Sequence, residues 1–164
     1  MAKKTILLTL NISEILYEVY NKTYLTGRSK LSSDNYKEIA NAQADDDEEN
    51  KSQILRSIGN AISYVYTKLT GYVKPSGETA TSNELMDAGN IELELNMPSN
   101  FNEMAAKTIT ASIHQYIVNT AIGEFFLLTN KADAAEYLTQ AASNIGEMME
   151  AVHKRVRPTR YDTK

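Results

Sequence analysis

Residues 97–158, "MPSNFNEMAAKTITASIHQYIVNTAIGEFFLLTNKADAAEYLTQAASNIGEMMEAVHKRVRP", decide the fold. In the first part, Ile109, Ile113, Tyr116, Ile117 and Thr120 fall on one side of a helix, and Phe125 and Leu128 continue that side. Asn100 and Glu103 have capping-box spacing, so the helix is expected to start near "SNFNEM" and run to about Thr129. In the second part, Ala134, Leu138, Ala141, Ile145, Met148 and Val152 recur at intervals alternating between four and three. That seam suits near-antiparallel packing against a neighbouring helix. Asn130 and Asp133 repeat the capping spacing, and Pro158 lies beyond the expected end. With only "TNK" between them, the two helices form a helical hairpin.

Working outward, Ile91, Leu93, Leu95 and Met97 alternate with Glu92, Glu94 and Asn96, which predicts a half-buried strand ended by Pro98. Ile6, Leu8 and Leu10 predict a second short strand able to pair with it. Asn11 or Ser13 can cap a helix running to about Leu25, with Gly27 as its stop. Ile12, Ile15, Leu16 and Val19 give this helix its apolar face, beside a stripe of Tyr17, Tyr20 and Tyr24. A further helix is expected from about Asp47 to Thr70, built on Ile54, Ile58, Ala61, Ile62, Val65 and Leu69. Residues 27–46 read as a polar linker with one weak helical turn around Tyr36–Ala42, and residues 71–90 as a long loop. The expectation is a single mainly α domain over residues 1–164. It is a small helical bundle with a long C-terminal helical hairpin and two short β-strands.

At 164 residues and 42% hydrophobic content, the chain can bury one real core. Without cysteine it has no disulfides, thiol nucleophiles or thiolate metal sites. The apolar run after Lys3 and Lys4 ends at Leu10, too short for a signal peptide or a membrane span, so a soluble intracellular chain without membrane contact is expected.

Formal charge is −4, yet the tail 154–164 holds five basic residues, Lys154, Arg155, Arg157, Arg160 and Lys164, against Asp162 alone. Cations at a helix C-terminus are favourable, which accounts for His153 to Arg155 but not for Arg157 and Arg160. A nucleic-acid arm would use those two on phosphates, but the acidic remainder repels DNA and no recognition motif accompanies them. The other reading is a peg that docks on acidic groups of a partner.

Catalytic and metal signatures are sparse. Asp45 to Glu49 lack the ligand pattern of a calcium loop and suit the N-terminus of the following helix. Glu150 and His153 match half of a di-iron motif, but His114 has Ala111 at the corresponding position, so there is no second copy. His114 itself has no carboxylate at helical spacing and reads as a packing or interface histidine. Neither nucleophile elbow nor phosphate loop occurs, so no cofactor and no enzymatic activity are expected. The tyrosine stripe, Tyr17, Tyr20 and Tyr24, is a possible oligomer interface.

The stretch 97–158 resembles the head–tail connector (adaptor) proteins of tailed bacteriophages and prophages. The likeness lies in a short strand, Pro98, a helix containing "HQYIV" (114–118), a second helix with Ala135, Tyr137 and Ala141, and the basic end 155–158. It extends to the helix of residues 47–69 and so to about two-thirds of the chain. The N-terminal strand and its tyrosine-striped helix are additions to that pattern. The resemblance implies a homo-oligomeric ring on the portal protein, in the neck of the virion after assembly in the host cytoplasm. Tail or neck proteins would be further partners, and DNA would pass only as channel contents. It also implies portal contacts through Arg155, Arg157, Pro158, Arg160 and Tyr161. Residues 74–90 and 28–50 are candidates for subunit or tail contacts. The competing expectation is a small helical nucleic-acid-binding or regulatory protein that uses the basic arm.

Overall fold

The computed structural model describes residues 3–30, 37, 39–40, 43–44, 47–75 and 81–158. The chain is mainly helical: its long elements among the described residues are four helices and a two-stranded antiparallel sheet, as the hydrophobic periods predict. In order these are β1 (Lys4–Asn11), α1 (Ile12–Ser29), α2 (Glu48–Leu69), β2 (Asn90–Met97), α3 (Ala105–Thr129) and α4 (Lys131–Val152).

The two strands pair over their whole length, from Lys4 opposite Met97 to Asn11 opposite Asn90. Leu8, Leu10, Leu93, Leu95 and Met97 are buried on one face, while Thr5, Leu7, Thr9 and Glu92 are exposed on the other. At the sheet end, the Ile12 amide donates to the carbonyl of Gly89, 3.0 Å away. Gly89 has φ +98°, a conformation that favours glycine at this corner. Part of the expected long loop joins the sheet as well. Asn96 donates to Tyr72 O (2.7 Å) and Lys74 donates to Glu94 O (2.9 Å), which places Tyr72–Lys74 along the far edge of β2.

α3 is the central helix. Tyr116 through Gly123 are all buried, more than two full turns, so this helix is enclosed rather than one-faced. α4 packs along it through Ala134, Ala141, Met148 and Val152, with Leu138 and Ile145 half-buried. Gly123 allows the close approach: a Cβ there would lie 2.7 Å from Leu138 Cγ and Cδ2. α2 packs against α3 through Ile54, Ile58, Ala61, Val65 and Leu69, with Ile62 half-buried. α1 contributes Ile12, Ile15, Leu16 and Val19. Each such aliphatic side chain stabilises the fold by about 1.5–3 kcal/mol when fully buried.

Four local expectations are corrected. α1 runs past Leu25 to Ser29, and Gly27 does not stop it. Gly27 is buried, and a Cβ there would meet Gln43 Cγ at 2.8 Å and Ile39 O at 3.2 Å, so the glycine admits a crossing segment. Asn100 and Glu103 form no capping box, because α3 starts later, at Ala105, with Met104 as its N-cap. Instead the Asn100 carbonyl accepts from the Val156 amide (2.9 Å), and Glu103 pairs with Lys4 (2.8 Å). Leu128 does not continue the buried side of α3, being 71% exposed at the hairpin tip. The cap of α1 agrees with expectation, since Asn11 Oδ1 accepts from the Glu14 amide at 3.0 Å. The helical turn expected over Tyr36–Ala42 lies partly outside the described residues, of which Lys37, Ile39 and Ala40 are helical.

Candidate interaction surface

After α4, residues 154–156 run as an extended strip along the corner that precedes α3. Phe101 and Arg155 form an antiparallel bridge, flanked by Asn102 N–H to Lys154 O (3.2 Å) and Val156 N–H to Asn100 O (2.9 Å). Phe101, which pairs with Arg155 in this bridge, is itself fully buried at the corner between β2 and α3. Arg155 Nη1 donates to Val152 O (2.8 Å) and Lys154 O (3.1 Å), so its guanidinium satisfies carbonyls at the end of α4. Arg157 and Pro158 follow and are exposed, while Arg160 and Tyr161 lie outside the described residues. The five tail candidates therefore differ: Arg155 has an internal structural partner, and Arg157 and Pro158 stand on the surface.

The tyrosine stripe separates into two environments. Tyr17 and Tyr24 are 69% and 49% exposed, whereas Tyr20 packs partly buried against the core. Leu25, 50% exposed, extends the outer pair. Charge at the ends of this face comes from Glu14 and Arg28, both exposed.

Behind this face, α1 is joined to the hairpin by polar bonds. Glu18 accepts from His114 Nε2 (2.6 Å), Gln115 Nε2 (3.0 Å) and Lys22 Nζ (2.9 Å). Lys22 also donates to Gln115 Oε1 at 2.9 Å, which closes the network. Partial burial would raise the Glu18 pKa, but hydrogen bonds from Lys22, Gln115 and His114, with the Lys22 charge, hold it at about 2 against an ordinary 4.5. Thr26 and Tyr137 share a hydroxyl hydrogen bond (2.9 Å), and Lys30 pairs with Asp133. His114 thus has a carboxylate partner after all. It comes from α1, ninety-six positions away in sequence, where helical spacing cannot reveal it.

His114 also lines a groove of about 600 Å³ with Thr9, Glu14, Lys107 and Thr110, bounded by β1, α1 and α3. The groove brings together neither a nucleophile with a base nor a ring of carboxylates. Among the described residues, no group of three or more His, Cys, Asp or Glu side chains could hold a metal ion. Glu150 is exposed and ion-paired with Lys154, and His153 Nδ1–H donates to Met149 O at 2.6 Å, so the two face different partners. Glu48 and Glu49 occupy the first turn of α2, and Asp45 and Asp46 lie outside the described residues. No described helix is long and apolar enough to cross a membrane. The chain matches no protein-family model, no curated protein and no solved structure.

Proposed function

We propose that this protein is a non-enzymatic head–tail connector subunit of a tailed phage or prophage, which assembles as a ring on the portal and joins capsid to tail. The observation that carries this reading is the placement of the C-terminal strip. Its base is held to the Asn100–Asn102 corner by backbone hydrogen bonds, while Arg157 and Pro158 stand exposed beyond it. Such an arrangement presents a short basic segment from a rigid helical body, and arginine forks suit carboxylate partners. The enclosed α3 and the α3–α4 hairpin supply the rigidity, and the groove at His114 is not required.

The test is negative-stain microscopy with mass determination, on the protein alone and with the portal protein. Ring-shaped assemblies on the portal are expected. The double variant Arg157→Gln/Arg160→Gln should lose portal docking with an unchanged melting temperature, because Arg155, which holds the end of α4, stays in place. A chain that stays monomeric and ignores the portal under all conditions would sink this reading. Salt-sensitive binding to naked DNA, abolished by the same variant, would instead assign the tail to nucleic-acid binding.

A further inference from the structure

On the outer side of α1, the residues Glu14, Tyr17, Asn21, Tyr24 and Arg28 are all exposed. Their spacing of three, four, three and four is a heptad stripe, and Leu25 broadens it at one end. The opposite side of the same helix holds Ile12, Ile15, Leu16, Val19 and Thr23, all buried, so α1 has one seam turned inward and another turned out. A solvated helix face normally carries charged residues along its length. Here the charge sits only at the two ends, and the middle is aromatic, amide and aliphatic.

The order of residues along the stripe is self-complementary when it is reversed. If a second α1 lies antiparallel with Asn21 facing Asn21, Tyr17 of each copy meets Tyr24 and Leu25 of the other. Glu14 then meets Arg28. Among the described residues neither Glu14 nor Arg28 has an ion pair, so both charges are free for such a contact. A polar asparagine in the middle of an otherwise apolar seam fixes register, since only the matched alignment pairs amide with amide. Tyrosine at the flanking layers buries ring area and keeps its hydroxyl at the wet rim.

We infer that two copies of the chain associate through an antiparallel α1–α1 pair centred on Asn21. The pair is two-fold symmetric, with the same surface used by both copies. This goes beyond the connector reading and does not rest on it, because a two-fold contact closes on itself while a ring needs a head-to-tail surface. One 18-residue helix per copy puts the interface at the small end of stable contacts, so the dimer should be concentration-dependent.

The chain has no cysteine, which makes single-cysteine cross-linking clean. With the full-length protein, Asn21→Cys should give a disulfide dimer on mild oxidation. Tyr17→Cys and Tyr24→Cys should each form much less alone, yet cross-link to one another when mixed. In light scattering across a concentration series, Tyr17→Glu/Tyr24→Glu should remain monomeric where the wild type dimerises. Its far-UV circular dichroism should be unchanged, because both side chains are exposed. Glu14→Arg and Arg28→Glu should each weaken the dimer about tenfold, and the double swap should recover most of that. Wild-type protein that stays monomeric up to about 1 mM would overturn the inference. So would a dimer in which Asn21→Cys cross-links no faster than a cysteine placed at exposed Thr139; that outcome would leave assembly on the portal untouched.

Discussion

Two opposing influences act on the carboxyl of Glu18: partial burial disfavours its charge, and three donors favour it. The donors win, so the carboxyl in the folded chain titrates near 2 while in the unfolded chain it titrates near 4.5. The unfolded state therefore takes up a proton first on acidification. The stabilisation is complete above the unfolded value and is lost as pH falls from about 5 toward 2. Glu18→Gln should lower stability by about 1.5–3 kcal/mol at pH 7, the usual range for hydrogen bonds to a charged group. Thermal melts at pH 7, 5 and 3 check this, with the difference between wild type and variant expected to shrink at the lowest pH. The cap at Asn11 involves no titration: its Oδ1 accepts from the Glu14 amide, and its Nδ2 donates to Asn90 Oδ1 at 2.9 Å, in an exposed contact. Asn11→Ala should cost about 1 kcal/mol in denaturant unfolding, without any change in slope.

Among the elements, the glycines of α2 and α3 make opposite predictions. Gly59 is exposed in α2 with nothing within 4 Å of an added Cβ, so Gly59→Ala should stabilise by about 0.5–1 kcal/mol through helix propensity. Gly123 in α3 lies against Leu138, where the same change should cost about 1–3 kcal/mol by overpacking. Urea titrations of the two variants give the signs directly. Much of this layer was legible beforehand. The alternation of Ile91 to Met97 describes β2 to within one residue, and the seam from Ala134 to Val152 lies within α4, although that helix starts earlier, at Lys131, and stops at Val152, well short of Pro158. What sequence could not supply were contacts between distant segments. Asn100 looks like a helix cap until Val156 is seen to claim its carbonyl, and Gly27 looks like a stop until Ile39 and Gln43 are seen to cross it. Leu128 fits the helical period of α3 but lies beyond the reach of α4, because the hairpin turns at Asn130. The interaction surface was legible as residue types only. Tyr17, Tyr20 and Tyr24 look equivalent in sequence, and packing alone separates the middle one from its neighbours.

For the whole molecule, enclosure of α3 sets the order of stability. Amides from Tyr116 to Gly123 should exchange with solvent only through global unfolding, because opening any one neighbour still leaves them covered. Thr81–Asp87 should exchange fastest among the described segments. It has neither helix nor strand, and exposed contacts such as Arg56 to Asn83 O (2.9 Å) and Lys51 to Asp87 (3.6 Å) tie it down. Native-state exchange followed by mass spectrometry would rank these regions. Comparable protection in the two would contradict a body organised around α3.

The strip at Arg155 has a mechanical consequence. Its two backbone hydrogen bonds, at Asn102 and at Asn100, bracket one antiparallel bridge. Inter-strand bonds of this kind lie across the strand direction. A pull along the tail therefore strains both together, in shear, instead of unzipping them one at a time. The load is thus shared between the end of α4, to which the strip is covalently joined, and the corner at buried Phe101 between β2 and α3.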